Sequence, residues 1–170
     1  MRRLAQSVML VAAMSAPGLL LMKQHEGRVT RPIQIEQVEH RVHVAYADPA
    51  HGWRIPTICS GHTKGVKRGD VATDAQCDAF FQQDIDQALW DLFRMANVPL
   101  TQGEVDAYAD FIFNLGPGNF ATSTLRKKLN SGDHLGACHE LFKWVNGNGK
   151  PMKGLIKRRR DFHALCVRDL

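Results

Sequence analysis

An apolar N-terminal segment is the feature that most constrains this chain. Arg2 and Arg3 are followed by nineteen uncharged residues, 4–22. A stretch of that length is just sufficient to cross a bilayer as a helix, and the preceding arginines predict that the N-terminus stays cytoplasmic and that the rest lies outside. We therefore assign residues 1–24 to an N-terminal signal-anchor helix and residues 25–170 to one globular domain.

Four interpretations of this segment differ in its fate. A cleaved signal peptide would use the small residues Ser15 and Ala16, but the apolar run continues past them. A permanent anchor is normally richer in Leu, Ile and Phe than this stretch, which contains Gln6, Ser7 and Pro17. A signal-arrest-release segment is apolar enough to insert and weak enough to leave the bilayer later, so it fits both observations. A buried first helix of a soluble domain fits least well, because the arginines precede an unbroken uncharged run.

Four cysteines, Cys59, Cys77, Cys138 and Cys166, bear on the compartment of the domain. They contain no CxxC pair, so their spacing argues against a zinc site. In an exported chain they can form two disulfides, and in a reducing compartment they would be buried thiols; the sequence leaves both open. Pairing between sequence neighbours, Cys59 with Cys77 and Cys138 with Cys166, is the simplest bridged arrangement.

Turn and capping signals divide the rest of the chain into a small β region and a larger helical region. Residues 23–37 are polar and contain a proline, which predicts a linker or a short helix. Residues 42–57 are typical of two strands around a DPAHG turn. Capping boxes at Thr73 and Thr101 begin two long helices, and further helices follow, the last of them within 154–170. The predicted fold class is α+β, with a small β-hairpin lobe and a larger helical lobe.

Three polar residues of the β region are candidates for glycosidic chemistry. Glu39 precedes Asp48 with eight residues between them, and Thr57 follows with eight more. A glycosidase needs a protonated carboxyl group and an ionised one across the scissile bond, and a strand that rises ~3.3 Å per residue can span a cleft of that size. Spacing alone is weak support, because Glu and Asp at such separations usually lie on solvated surfaces.

Three blocks of sequence occur in the order of a known family. Glu39, Asp48 and Thr57 are followed by SGHT; FIFNLGPGNFATSTLRKKLNSGD comes next, and GLIKRRR follows near the C-terminus. Through these blocks, over about residues 36–160, the chain resembles the phage-type lysozymes of glycoside hydrolase family 24. Within that family it is most similar to the lambdoid signal-arrest-release endolysins.

The resemblance implies a lysozyme-like fold and hydrolysis of the β-1,4 bond between N-acetylmuramic acid and N-acetylglucosamine in peptidoglycan, for host cell lysis. It implies that Glu39 is the general acid and that Asp48 and Thr57 place and activate a water on the opposite face, which is inverting chemistry. No cofactor or metal is expected. We expect a monomer held at the host inner membrane by its N-terminal helix and then released into the periplasm.

Two departures from the family pattern concern the catalytic residues. The gap between Asp48 and Thr57 is eight residues rather than five, so the turn carries three extra residues. Family members often have Glu-Gly at the end of their first helix; here that dipeptide begins at Glu26, whereas Glu39 is followed by histidine. We favour Glu39 as the acid because its spacing to Asp48 fits the family pattern. Glu26 adjoins the apolar segment, where an acid would be poorly placed for a cleft. Glu26 remains the alternative acid.

The charge of the chain leaves other classes of partner to consider. A net charge of +5 and a pI near 9.2 favour an anionic partner. The basic run 157–160 has no accompanying aromatic array, so we predict a solvated helix face and no nucleic-acid binding. Asn114 is a candidate substrate contact, and the turn 116–118 after it is expected to be structural. The alternative functions are a catalytically inactive cell-wall-binding or virion structural protein and a lytic transglycosylase, which uses a single acid.

Overall fold

The computed structural model describes residues 13–26, 30–35, 38–48, 51–147 and 149–170. The chain forms two compact units. A β unit comprises Lys23–Ile85, and a helical unit comprises Met1–Met22 together with Asp86–Leu170. The combination of short antiparallel strands and longer helices confirms the predicted α+β class.

Short antiparallel strands build the β unit. They are β1 (Thr30–Ile35), β2 (Val38–Val44), β3 (Tyr46–Asp48), β4 (Gly52–Thr57) and β5 (Val71–Ala72). Pairing in the order β1-β2-β5 forms one sheet, and β3 and β4 form a separate hairpin. This hairpin confirms the strand predicted after the DPAHG turn. The strand predicted before it is divided, because residues 42–44 belong to β2 and residues 46–48 to β3, which lie in different sheets.

The prediction of a linker or short helix over 23–37 is wrong for β1. This strand pairs with β2 along its whole length. Ile33 and Ile35 are separated by one polar residue, which is the period of a strand. Pro32 fits this position because β1 is an edge strand, and proline within sheets is found mainly on edge strands.

Two disulfides stabilise the fold, and both have the predicted pairing. Cys59–Cys77 joins the segment after β4 to α2 (Asp74–Met95), with 5.4 Å between the Cα atoms. This bridge lies in the core of the β unit with Ala45, Ile58 and Ala72. Cys138–Cys166 connects two elements of the helical unit. Each bridge restricts the unfolded chain and so favours the folded one.

Helices account for most of the remaining chain. They are α1 (Ala16–His25), α3 (Gln102–Leu115), α4 (Pro117–Thr122), α5 (Thr124–Asn130), α6 (His134–Glu140), a 3-10 turn (Leu141–Lys143) and α7 (Lys153–Arg168). A short hairpin of β6 (Asn146–Gly147) and β7 (Lys150–Pro151), which the sequence did not indicate, precedes α7.

The predicted capping boxes are present at the start of α2 and α3. The hydroxyl of Thr73 accepts from the N–H of Gln76, whose side chain accepts from the Thr73 N–H. Thr101 and Glu104 make the same reciprocal pair. The turn predicted at 116–118 is partly wrong. A glycine at 116 with φ of 84° does end α3, but the following proline begins α4, since a first-turn residue needs no N–H.

A buried charged cluster joins α3 to α7. The Asp110 carboxylate, which is fully buried, accepts from Arg158 at 2.7 and 2.9 Å and from Arg159 at 3.2 Å. Burial lowers the pKa of Arg159 to about 10, although the negative charge of Asp110 acts to raise it. The prediction of a solvated face over 157–160 is therefore wrong for these two arginines. Asn114, the candidate substrate contact, accepts a hydrogen bond from Arg159.

The end of the apolar segment is packed on α3. The backbone N–H and the hydroxyl of Ser15 both donate to the buried Asp106 carboxylate, and Gln102 donates to the carbonyl of Ala13. Gly18 approaches the same carboxylate so closely that a Cβ would lie 2.5 Å from its carbon. In the described part of the chain, no helix combines the length and apolar character needed to cross a membrane. Residues 1–12, which contain nine of the nineteen residues of the predicted span, lie outside the described residues.

Candidate active site

The β3–β4 hairpin brings two predicted site residues onto neighbouring strands. Tyr46 pairs with Thr57, and Asp48 pairs with Gly52. A bulge between Ala47 and Asp48 shifts the register, which accommodates unequal strand lengths around the extended turn. The hairpin therefore places Asp48 two residues along the strand from the partner of Thr57.

The turn holds the Asp48 carboxylate in place. Its Oδ1 accepts from the His51 N–H at 2.7 Å and lies 2.8 Å from the His51 ring Nδ1. The Asp48 side chain is 24% exposed, so solvent reaches it. An anchored, solvent-accessible carboxylate is suited to accepting a proton from a bound water.

Thr57 is buried at the end of β4. Its hydroxyl donates to the Ile55 carbonyl at 3.1 Å. A hydroxyl has one donor and two acceptor positions. The oxygen of Thr57 can therefore still accept a hydrogen bond from a water while its proton stays committed to the main chain.

Glu26 acts on the same tyrosine as Asp48. It directly follows α1 and is half-buried. The pKa of Tyr46 is raised, first by burial of the phenol and then by the negative charges of Glu26 and Asp48. Tyr46 pairs with Thr57, so the charges of Glu26 and Asp48 both influence the residue opposite Thr57 in the hairpin. The sequence reasoning did not single out Tyr46, although a tyrosine two residues before the candidate aspartate was a visible signal.

Glu39, the acid favoured by spacing, lies in the other sheet. Its backbone pairs with Gln34 of β1, within the β1-β2-β5 sheet and not the β3–β4 hairpin. Its side chain lies outside the described residues. The assignment of Glu39 as the general acid therefore stays a prediction.

The histidine of the SGHT sequence has a structural environment. His62 is buried, with its Nδ1 2.9 Å from Asp84 and its Nε2 3.1 Å from the Lys64 carbonyl. The ring is stacked on Phe80, with 4.4 Å between centroids. Both ring nitrogens face oxygen atoms of the protein, so His62 fastens the segment after β4 to α2.

The chain is similar to known proteins along most of its length. The phage lysozyme family matches residues 36–161. An endolysin of Acyrthosiphon pisum secondary endosymbiont phage 1 is 41% identical over 155 residues, which cover 89% of this chain and 95% of that protein. The SAR-endolysin of Enterobacteria phage PA-2 is 33% identical over 140 residues, covering 82% and 83%.

A solved structure extends the likeness to the fold. The endolysin from Escherichia coli O157:H7 phage FAHEc1 has a TM-score of 0.70 and 27% identity to this chain, over 97% of this chain and 98% of that one. Both the family match and the two relatives cover most of the sequence. The chain therefore belongs to the phage lysozyme family.

Proposed function

We propose that this phage lysozyme hydrolyses the β-1,4 bond between N-acetylmuramic acid and N-acetylglucosamine with Glu26 as its general acid and with Asp48 and Thr57 positioning the water. The enzyme is an endolysin, a glycoside hydrolase that degrades peptidoglycan for host lysis. The observation that supports the assignment is that Asp48 lies two residues along β3 from Tyr46, the strand partner of Thr57, and that the negative charge of Glu26 helps to raise the pKa of the same tyrosine. Sequence spacing favoured Glu39; the position of Glu26 directly after α1 supports the alternative.

In the proposed reaction, the protonated carboxyl group of Glu26 donates its proton to the glycosidic oxygen as the bond to the anomeric carbon breaks. A water held by Thr57 attacks that carbon from the opposite face and transfers a proton to Asp48. One bond breaks, one forms, and the configuration inverts. Inverting enzymes separate their carboxyl groups by about 6.5–9.5 Å so that the water fits between them.

Clearing of outer-membrane-permeabilised Gram-negative cells tests this assignment. We expect wild type and Glu39→Gln to clear the suspension and Glu26→Gln to lose at least 100-fold in rate, since general acid catalysis contributes about 10²–10⁴-fold. Circular dichroism of each variant checks that it is folded. Loss of activity in Glu39→Gln alone would return the acid to Glu39. No clearing by folded wild type would favour the inactive wall-binding protein.

The products separate hydrolysis from transglycosylation. A hydrolase leaves a new reducing end, whereas a lytic transglycosylase leaves an anhydro sugar and incorporates no water. We expect one reducing end per cleavage, formed with inversion. Anhydromuramic products would contradict the roles given to Asp48 and Thr57.

We also infer that the N-terminal segment first tethers the enzyme to the inner membrane and later releases it into the periplasm. The arginine-led apolar run and the similarity to a SAR-endolysin support this proposal. A released segment would gain the hydrogen bonds that join Ser15 to Asp106 and Gln102 to the carbonyl of Ala13. These bonds are absent while the segment is in lipid.

Cell fractionation before and after collapse of the membrane potential tests the tether. We expect intact protein to move from the membrane fraction to the periplasm as lytic activity rises. Asp106→Ala, which removes the acceptor for Ser15, should reduce lytic activity after release without changing the initial membrane fraction. A membrane fraction as lytic as the released protein would contradict the proposal.

A further inference from the structure

We propose that the chain binds one zinc ion through Cys59, Cys77 and His43 when the bridge between the two cysteines is reduced. A ring nitrogen of His43 and the two Sγ atoms lie within 4.8 Å of one another, and all three side chains are buried. Three elements supply them: His43 lies in β2, Cys59 follows β4 and Cys77 lies in α2. The proposal is independent of the function proposed above.

The histidine is arranged as a metal ligand would be. Its Nε2 lies 2.7 Å from Oδ1 of Asp74, while its Nδ1 is fully buried with no hydrogen-bond partner in the described structure. A carboxylate at Nε2 favours the tautomer with the proton on that atom, which leaves the lone pair on Nδ1. Metal-binding histidines typically donate their other N–H to a carboxylate in this way.

Once the disulfide is opened, the three ligand atoms can reach the spacing of tetrahedral zinc. Zinc–sulfur bonds of about 2.3 Å and a zinc–nitrogen bond of about 2.0 Å put neighbouring ligand atoms about 3.5–3.8 Å apart. Opening the S–S bond lets the sulfurs separate toward that distance, within the 4.8 Å that the group already occupies. Two thiolates and one imidazole leave a fourth position for water.

The chemistry requires a reductant and releases two protons. A dithiol converts the Cys59–Cys77 bridge into two thiols by giving two electrons and two protons, and it becomes a disulfide. A phosphine gives the two electrons and becomes a phosphine oxide, while water supplies the oxygen and the two protons. Each thiol then loses its proton to solvent as Zn²⁺ binds, and no further electrons move. Cytosolic conditions keep thiols reduced, whereas an oxidising compartment favours the bridge. The same three residues thus form a metal site in one compartment and a disulfide in the other.

Cobalt titration of the full chain tests the site. The protein is reduced with a phosphine under argon and freed of reductant, and Co²⁺ is added as a spectroscopic substitute for Zn²⁺. We expect one equivalent to give the thiolate charge-transfer and tetrahedral d–d absorption bands, and Zn²⁺ to displace them. The Cys138→Ser/Cys166→Ser variant should bind equally, and Cys59→Ser/Cys77→Ser should lose the bands.

Variants at His43 and Asp74 distinguish cobalt binding at the proposed three-ligand site from nonspecific binding to the two thiols. Asp74→Asn should weaken cobalt affinity by about 10–100-fold, because Asp74 orients the ring through its Nε2 atom. His43→Gln removes the proposed ligand itself and should weaken binding more. His139→Ala, next to the other cysteine pair, is the matched control and should change nothing. Bands that survive Cys59→Ser/Cys77→Ser, or that neither His43→Gln nor Asp74→Asn weakens, would overturn the proposal.

Circular dichroism covers the case in which reduction unfolds the chain. Restoration of the helical signal by Co²⁺ or Zn²⁺ in wild type, but not in His43→Gln, would support the site, because metal binding then contributes to folding. A reduced chain that neither binds cobalt nor refolds with zinc would refute it.

Discussion

Removal of the Asp110 carboxylate should destabilise the enzyme far more than removal of any surface charge. In Asp110→Ala, two buried guanidinium groups, those of Arg158 and Arg159, lose the carboxylate that they share. Taking one partner from a buried ion pair costs about 3–5 kcal/mol. For a domain of this size each kcal/mol lowers Tm by about 2–4 °C, so the expected drop is about 6–20 °C.

The shift in the Arg159 pKa explains why the loss is large. Burial lowers this pKa to about 10 even with Asp110 present, so desolvation already outweighs the attraction between the charges. The penalty therefore comes from leaving buried positive charge uncompensated and not from the net strength of the pair.

Thermal unfolding followed by circular dichroism at pH 7 is the assay. Asp110→Asn keeps an acceptor but loses the charge, so its Tm should fall between those of wild type and Asp110→Ala. Lys157→Ala removes an exposed partner of Asp161 and should leave Tm unchanged within error. If Asp110→Ala melted within about 3 °C of wild type, the argument from buried charge would be refuted.

Three further predictions concern other parts of the fold. Gly103→Ala should lower the free energy of unfolding by about 1–3 kcal/mol, because the new Cβ would lie 2.0 Å from a backbone oxygen of α7. Gly154→Ala is the control: Gly154 is also the second residue of its helix, but its Cβ would meet open space. Its Tm should therefore be unchanged or higher in thermal unfolding. Thr101→Ala should cost about 1 kcal/mol through loss of the α3 cap, and an unchanged Tm would contradict the capping assignment. In absorbance titration, Tyr46 should ionise before the other, more deeply buried tyrosine, and Glu26→Gln should lower its pKa by removing a negative charge. Because folding raises that pKa, the Tyr46 phenol contributes stability below pH 10.0 that is lost as the pH rises further. An unchanged Tyr46 titration in Glu26→Gln would contradict the electrostatic interaction between Glu26 and Tyr46.

Local signals in the sequence were sufficient for much of this molecule. The capping boxes at Thr73 and Thr101 depend on hydrogen bonds between residues three apart, and a turn signal of a few residues specifies the β3–β4 hairpin. Sequence proximity also predicted the disulfide pairing, since cysteines 18 and 28 residues apart close short loops. The three motif blocks taken together, in the family's order, were enough to identify the family.

Tertiary structure decided what depends on residues distant in the chain. Sequence spacing favoured Glu39, and that choice stays a prediction. The β1–β2 pair separates Glu26 from the hairpin in sequence, yet the negative charge of Glu26 contributes to the raised pKa of Tyr46. The basic run 157–160 was predicted to be solvated, but Arg158 and Arg159 are buried and pair with Asp110, which is 48 and 49 residues away in the chain. Burial, charge pairing and the assembly of ligands are properties of distances in space, and only the folded chain sets those distances.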